Sequence, residues 1–250
     1  MVMNLDNYTD SAPQWSKADL HIHTNLSDAG PSPLQVVQHV LRHTDLAAIA
    51  FTDHDRIDGG LRVRGLAEQY GLQVIVGEEV STADGHLLAL FIEERIAPGR
   101  TIEETIAEVH AQGGLAIVAH PYDFVSQSLL GRHSRGWSEE ALGALPLDGV
   151  EVLNGSLVRH IANVHAARMA QRLGFTALGG SDAHHLGVVG QAHTWFPGHT
   201  AEDLRQAIID GTVTAGGQSW RARQYLSWVA GCLVPRTLRR AYGAVRAYGH

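Results

Sequence analysis

One cysteine, Cys232, and one lysine, Lys17, occur in 250 residues. A lone cysteine excludes a disulfide within the chain and a cysteine-rich zinc site, and it fits a reducing compartment. Scarce lysine leaves arginine to carry the basic charge, which reads as genome composition more than function. The net charge of −7 gives the chain as a whole no basic surface for nucleic acid. Acid is itself missing from one stretch. Residues 218–250 hold six arginines (Arg221, Arg223, Arg236, Arg239, Arg240, Arg246) and no aspartate or glutamate, so the remainder carries the acidic excess. No apolar run is long enough to span a bilayer, and residues 1–17 lack the apolar core of a signal peptide, so a cytoplasmic protein without a transmembrane segment is expected. Also absent are His-Glu-x-x-His, the Gly-x-x-x-x-Gly-Lys phosphate loop, the dinucleotide Gly-x-Gly-x-x-Gly and a nucleophile elbow, which removes four common routes to catalysis.

What is abundant is histidine, sixteen residues in all, within a chain that is 44% hydrophobic and able to bury a sizeable core. By length alone, one barrel-type domain or two smaller domains are both compatible. Residues 18–24 read as a strand. Side chains alternate faces there, so His21 and His23 point the same way and can grip one ion, with Leu20 and Ile22 on the other face. Further strands are expected at 46–51, 72–76 running into 77–81, 86–92, 115–119, 149–154 and 176–180, with a short one at 193–196. Helices are expected at 34–43 behind Ser32 and Pro33, at 58–70, from Thr101 with Glu104 as a capping box, after Ser138, at 157–173, and from Thr200 with Asp203. The polar, irregular stretch 122–136 reads as a functional loop. Alternating strands and helices predict an α/β fold with a mainly parallel sheet. About seven such units suit a barrel, in which functional residues gather at the C-terminal ends of the strands.

The polar residues fall at those ends or on strands nearby: His21, His23, His54, Glu79, His86, His120, Asp182 and His184, with Asp28 in the first loop. Imidazole and carboxylate suit zinc, manganese or iron. One ion takes three or four such groups, so this larger set suggests two or three ions sharing a bridging carboxylate. Among the other histidines, His39 and His43 lie on a helix outside the barrel, His160 and His165 read as helix surface, and His185, His193 and His199 flank the site.

His21-Ile22-His23, Asp28, Thr52-Asp53-His54-Asp55, Gly77-Glu78-Glu79, His120-Pro121 and Gly180-Ser181-Asp182-Ala183-His184 together resemble the signature of the polymerase and histidinol phosphatase (PHP) superfamily, over about residues 18–218. The resemblance implies a distorted (β/α)7 TIM-like barrel of PHP type at 18–217, followed by a short basic and apolar C-terminal extension at 218–250. It implies two or three divalent metal ions (Mn, Zn or Fe). His21, His23, Glu79 and Asp182 would hold the first, Glu79 with His86 and His120 the second, and Asp28, His54 and His184 the third. Glu79 is chosen over Glu78 because the family's acid precedes an apolar–Ser/Thr pair, here Val80-Ser81.

The function implied is that of a metal-dependent phosphoric ester hydrolase. It would cleave a small phosphorylated metabolite or nucleotide through a metal-bridging hydroxide, with Glu79, Asp182 and His184 as the catalytic groups. Arginine forks match phosphate oxygens, which makes Arg159 and Arg132 candidates for substrate binding, along with Asn154 at a strand end. The alternatives are a nuclease trimming RNA or DNA ends, an amidohydrolase, and a non-catalytic metal-binding module. A monomer is expected. In the tail, residues 225–234 are apolar and 236–248 could form a basic helix; packing of the apolar part on the barrel is preferred over an RNA or membrane contact.

Overall fold

The structure, a computed structural model, describes residues 14–132, 134–156 and 160–229. The first run of alternating residues becomes strand β1 (Trp15–Ile22). Ser32 then closes a capping box with Gln35, and Pro33 opens helix α1 (Pro33–His43), whose Val36, Val37 and Val40 are buried. Strand β2 (Leu46–Phe51) is buried throughout, helix α2 spans Asp58–Glu68, and strand β3 (Gln73–Ser81) carries Glu78 and Glu79. Then come β4 (His86–Leu90), α3 (Ile102–Ala111, capped by Thr101 and Glu104), β5 (Leu115–Val118), α4 (Glu139–Gly143) and β6 (Gly149–Asn154). Helix α5 (His160–Leu173), β7 (Ala177–Gly180), β8 (Ala192–Pro197), α6 (Ala201–Ile209), β9 (Thr214–Gly217) and α7 (Ala222–Trp228) complete the described chain.

The strands form one sheet in the order β7-β6-β5-β4-β3-β2-β1-β8-β9. It curls into a nearly closed barrel, an α/β fold consistent with a distorted TIM-like barrel. Parallel pairing holds within β1–β2–β3 and β5–β6–β7, as the alternation of strands and helices predicts. Strands β4 and β8 run the other way, so the sheet is mixed rather than mainly parallel. The β3–β4 link spans only residues 82–85, which allows a turn but no crossover helix. Reversal matters for the site: the first residue of an antiparallel strand sits at the barrel end where its neighbours finish, and that residue is His86.

The barrel closes between β1 and the segment after β7. Ala183 donates to the His21 carbonyl at 3.2 Å, and His23 donates to the Ala183 carbonyl at 3.0 Å. Closure brings backbones so near that a Cβ on Gly180 would lie 2.6 Å from the His21 Cβ, and only glycine fits. Asp19, fully buried, seals the seam: its carboxylate accepts from the backbone N–H of Ser181 (2.9 Å), Gly190 (2.7 Å) and, more weakly, His21 (3.4 Å). Burial pushes its pKa up to about 6, against the pull of the Ser181 and other hydrogen bonds. Asp19→Ala leaves these donors buried without an acceptor and is expected to cost about 3 kcal/mol of stability, read from urea unfolding; a loss under about 1 kcal/mol would show that the seam does not depend on it.

Candidate metal centre

Six strands, β1 to β5 and β7, bring side chains to this rim. β1 directs His21 and, just beyond it, His23, with ring centroids 5.1 Å apart, as alternation requires. Asp28 comes from the following loop, which Asp53 fixes by accepting from Thr24 N (2.7 Å), Thr24 Oγ1 (2.8 Å) and Ser27 Oγ (2.5 Å). His54 follows β2 and bridges to β3 at Glu79. His120 and Asp182 follow β5 and β7 with φ of 25° and 51°, left-handed values uncommon for residues other than glycine and enriched at functional sites.

Glu79 is the centre of the arrangement and is 1% exposed. Its Oε2 lies 3.2 Å from His23 Nε2, 3.2 Å from His54 Nδ1 and 3.3 Å from His21 Nε2. Its Oε1 lies 2.8 Å from His86 Nδ1 and 3.0 Å from His120 Nε2. Asp182 Oδ1 adds 3.2 Å to His23 Nε2 and 3.6 Å to His21 Nε2, while Asp28 Oδ2 lies 3.0 Å from His184 Nε2 and 3.9 Å from His54 Nε2. Four triads bring their ligand atoms within 4.8 Å of one another: His21/His23/Asp182, His21/Glu79/His120, His23/Asp28/His184 and His23/His54/Glu79.

The electrostatics fit a cation. Burial pulls the histidines down, yet the surrounding carboxylates outweigh it. His21 is held well above its ordinary value by Asp182, Glu151 and Glu79, and His23 and His120 are raised to about 10 and about 9. Burial likewise opposes ionisation of Glu79, Asp182 and Asp28, and the imidazoles override it and hold all three low. His54 is lowered instead, burial outweighing Glu79. The buried Nδ1 atoms of His23 and His86 find no hydrogen-bond partner among the described residues. His86 Nδ1 is close to Glu79 but misaligned, which suits a lone pair aimed at an ion. The donor set thus fits divalent metals of the borderline kind.

The cluster floors a cavity of about 770 Å³. Comparison with known proteins agrees with this geometry. Residues 19–137 match the PHP domain family and residues 160–213 the PHP-associated family. The uncharacterized protein MJ1587 of Methanocaldococcus jannaschii is 36% identical over 148 residues, covering 55% of this chain and 81% of that protein. This chain belongs to the PHP superfamily. A phosphoribosyl 1,2-cyclic phosphate 1,2-diphosphodiesterase of Eggerthella lenta is 37% identical over 82 residues, covering 30% of this chain and 31% of that enzyme. A two-domain Bacteroides vulgatus structure, described as containing a predicted PHP-like metal-dependent phosphoesterase, superposes with a TM-score of 0.68 at 21% identity; the match covers 82% of this chain and 66% of that one. Membership places the chain in a metal-dependent phosphoesterase family.

Within this PHP site, the nine residues singled out from the sequence converge on one rim. Glu78 does not: it faces away and accepts from Ile96 N at 2.7 Å, with its pKa raised to about 7 by burial. Arg132 lines the cavity. Asn154 corrects its expected role as a substrate contact. It is fully buried and donates to Glu151 Oε2 (2.9 Å) and Asp182 Oδ2 (3.2 Å), so it lies behind Asp182 and positions it. Arg159 lies outside the described residues, as do Cys232 and the expected basic helix at 236–248.

Three groups escaped sequence reasoning. Glu151, 2% exposed, accepts from the His21 ring at Nδ1 (3.0 Å) and from His120 N (2.9 Å), and so turns His21 Nε2 toward the cluster. The signal was an acid inside an otherwise apolar strand. Ser126 is 3.3 Å from His120 Nδ1 and donates to Asp123 Oδ2 at 2.5 Å, so loop 122–136 orients His120. Trp220, Tyr225 and Trp228 line the cavity from beyond residue 217, where no motif marked them. Among the described residues, no helix is long and apolar enough to cross a membrane.

Proposed function

We propose that the protein is a metal-dependent phosphoesterase that hydrolyses a small phosphorylated metabolite or nucleotide. The observation that supports this reading is the division of Glu79, one oxygen toward His86 and His120 and the other toward His21, His23 and His54, on the floor of a cavity of about 770 Å³. In this reading His21, His23, Glu79 and Asp182 hold one ion, Glu79, His86 and His120 a second, and Asp28, His54 and His184 a third. Divalent ions, manganese, zinc or iron by donor type, would supply Lewis acidity, acidifying water and neutralising phosphate oxygens.

The protein's own residues do the rest. Glu151 and Ser126 fix the tautomers and tilts of His21 and His120. Asn154 and Ser156 hold Asp182, with Ser156 Oγ donating to Asp182 Oδ2 at 2.6 Å. His184 serves the third site when it is filled and is available to protonate the leaving oxygen when it is not. Arg132 reaches phosphate from the cavity wall. A volume in the range of small-molecule pockets favours a metabolite or nucleotide over a long nucleic acid.

The test follows phosphate release from mononucleotides, aryl phosphates and sugar phosphates, and nucleotide release from a short RNA, by the purified protein loaded in turn with manganese, zinc and iron. Turnover of the small esters is expected. Faster trimming of the RNA than of any small ester would replace this reading with a nuclease, and no hydrolysis with any of the three metals would refute it.

A further inference from the structure

We infer that helix α7 and Trp220, two residues before its start, build a specificity wall: Trp220, Tyr225 and Trp228 select phosphate esters whose alcohol portion carries a flat aromatic or heteroaromatic ring. This rests on the phosphoesterase reading for the reaction but not for the binding. The wall lies outside both family matches, the later of which ends at residue 213. It is nevertheless fastened to the loop after β7 that carries Asp182 and to the loop after β6, whose Ser156 holds Asp182. Trp220 N donates to Gly155 O at 2.7 Å, its indole Nε1 donates to Ser181 O at 3.0 Å, and the Tyr225 hydroxyl donates to Ser156 O. Trp228 packs edge-on against the His184 ring (5.8 Å, 75°) and against Trp220 (6.4 Å, 71°). All three aromatic residues line the same cavity as the cluster, with Phe124 and Val125 of loop 122–136.

The chemistry of the walls decides what fits. The floor is charged and takes a phosphate. The sides offer rigid aromatic surface, which gains contact with a planar ring at little entropic cost. The Trp220 and Tyr225 donors are already committed to backbone carbonyls, so that part of the wall offers little to a polyol, whose hydroxyls would lose water without replacement.

The experiment uses the full chain and two variants that keep apolar bulk, Trp228→Leu without a ring and Trp228→Phe with one. The first readout is the ratio of kcat/KM for AMP to that for glycerol phosphate in the manganese-loaded protein. It is expected to fall about tenfold in Trp228→Leu, mainly through KM, and to recover in Trp228→Phe, in line with the usual worth of one stacked ring. The second is isothermal titration of phosphate-free adenosine into the same manganese-loaded protein, where binding should weaken by the same factor in Trp228→Leu. Equal loss on both esters with unchanged adenosine binding would mark a structural role and overturn the inference, as would no measurable adenosine binding by the wild type. If the wild type hydrolyses neither ester but binds adenosine in a Trp228-dependent way, the wall stands and the phosphoesterase reading falls.

Discussion

Glu79→Gln is expected to lower phosphoester hydrolysis by about a thousandfold or more, equivalent to about 4 kcal/mol of transition-state stabilisation, while Glu78→Gln next to it stays within about threefold of wild type. The two side chains differ by one residue and therefore by one face of β3. Glu79 touches five imidazoles; Glu78 accepts a backbone N–H from Ile96, a bond that glutamine's oxygen can retain. Glutamine at position 79 removes the negative charge that lies between the two sides of the cluster and turns an N–H₂ toward histidine nitrogens that need an acceptor or a cation. Elemental analysis should then show reduced metal content in Glu79→Gln and an unchanged content in Glu78→Gln. Retained activity at position 79 with loss at position 78 would sink the assignment of the bridging acid.

Stripping the metals should lower thermal stability, and more so at high pH. An ion held at a hundred times its dissociation constant contributes about 3 kcal/mol, about 6–12 °C in midpoint for a chain of this size. Without ions, the carboxylates hold the cluster together through protonated histidines. Burial opposes this protonation, but the carboxylates, Asp182 and Glu79 for His23 and Glu79 foremost for His120, raise His23 to about 10 and His120 to about 9. A histidine raised on folding contributes its full stabilisation below the unfolded value of about 6.5 and loses it as pH climbs through the folded value. The metal-free protein therefore weakens between about pH 6.5 and 9–10, whereas the loaded protein, with ions where the protons were, does not. Scanning calorimetry of chelated and loaded samples should show a gap in midpoint that widens from pH 6.5 to 9. A constant or narrowing gap would mean that metal and proton do not exchange at these residues.

Much of this was legible in the chain because strands and helices leave local marks. The capping boxes at Ser32, Thr101 and Thr200 form where the residues call for them, and the alternation around His21 and His23 places both rings together. The reversed direction of β4 was marked only by the short, hairpin-like turn at Asp84-Gly85, since a link of residues 82–85 leaves no room for a crossover helix. Asn154 misled for a different reason: a polar residue at a strand end on the active rim can face the cavity or the layer behind it, and its partners Glu151 and Asp182 are 3 and 28 residues away. Glu151 was hidden because one acid in a strand has no periodicity to mark its role.

The sequence by itself determined the donor types, their order along the chain and the elements that carry them, because these follow from residue identity and spacing alone. Only the tertiary structure decided which donors meet. It joined Asp182 to His23 across the closed seam, turned His86 to the rim through a reversed strand, placed Glu151 and Ser126 behind their histidines, and laid Trp220 and Trp228 along the cavity. Apart from Ser126 and His120, six residues apart, these are contacts between residues distant in sequence. Such contacts are set by how the barrel closes, and closure is a property of all the strands at once.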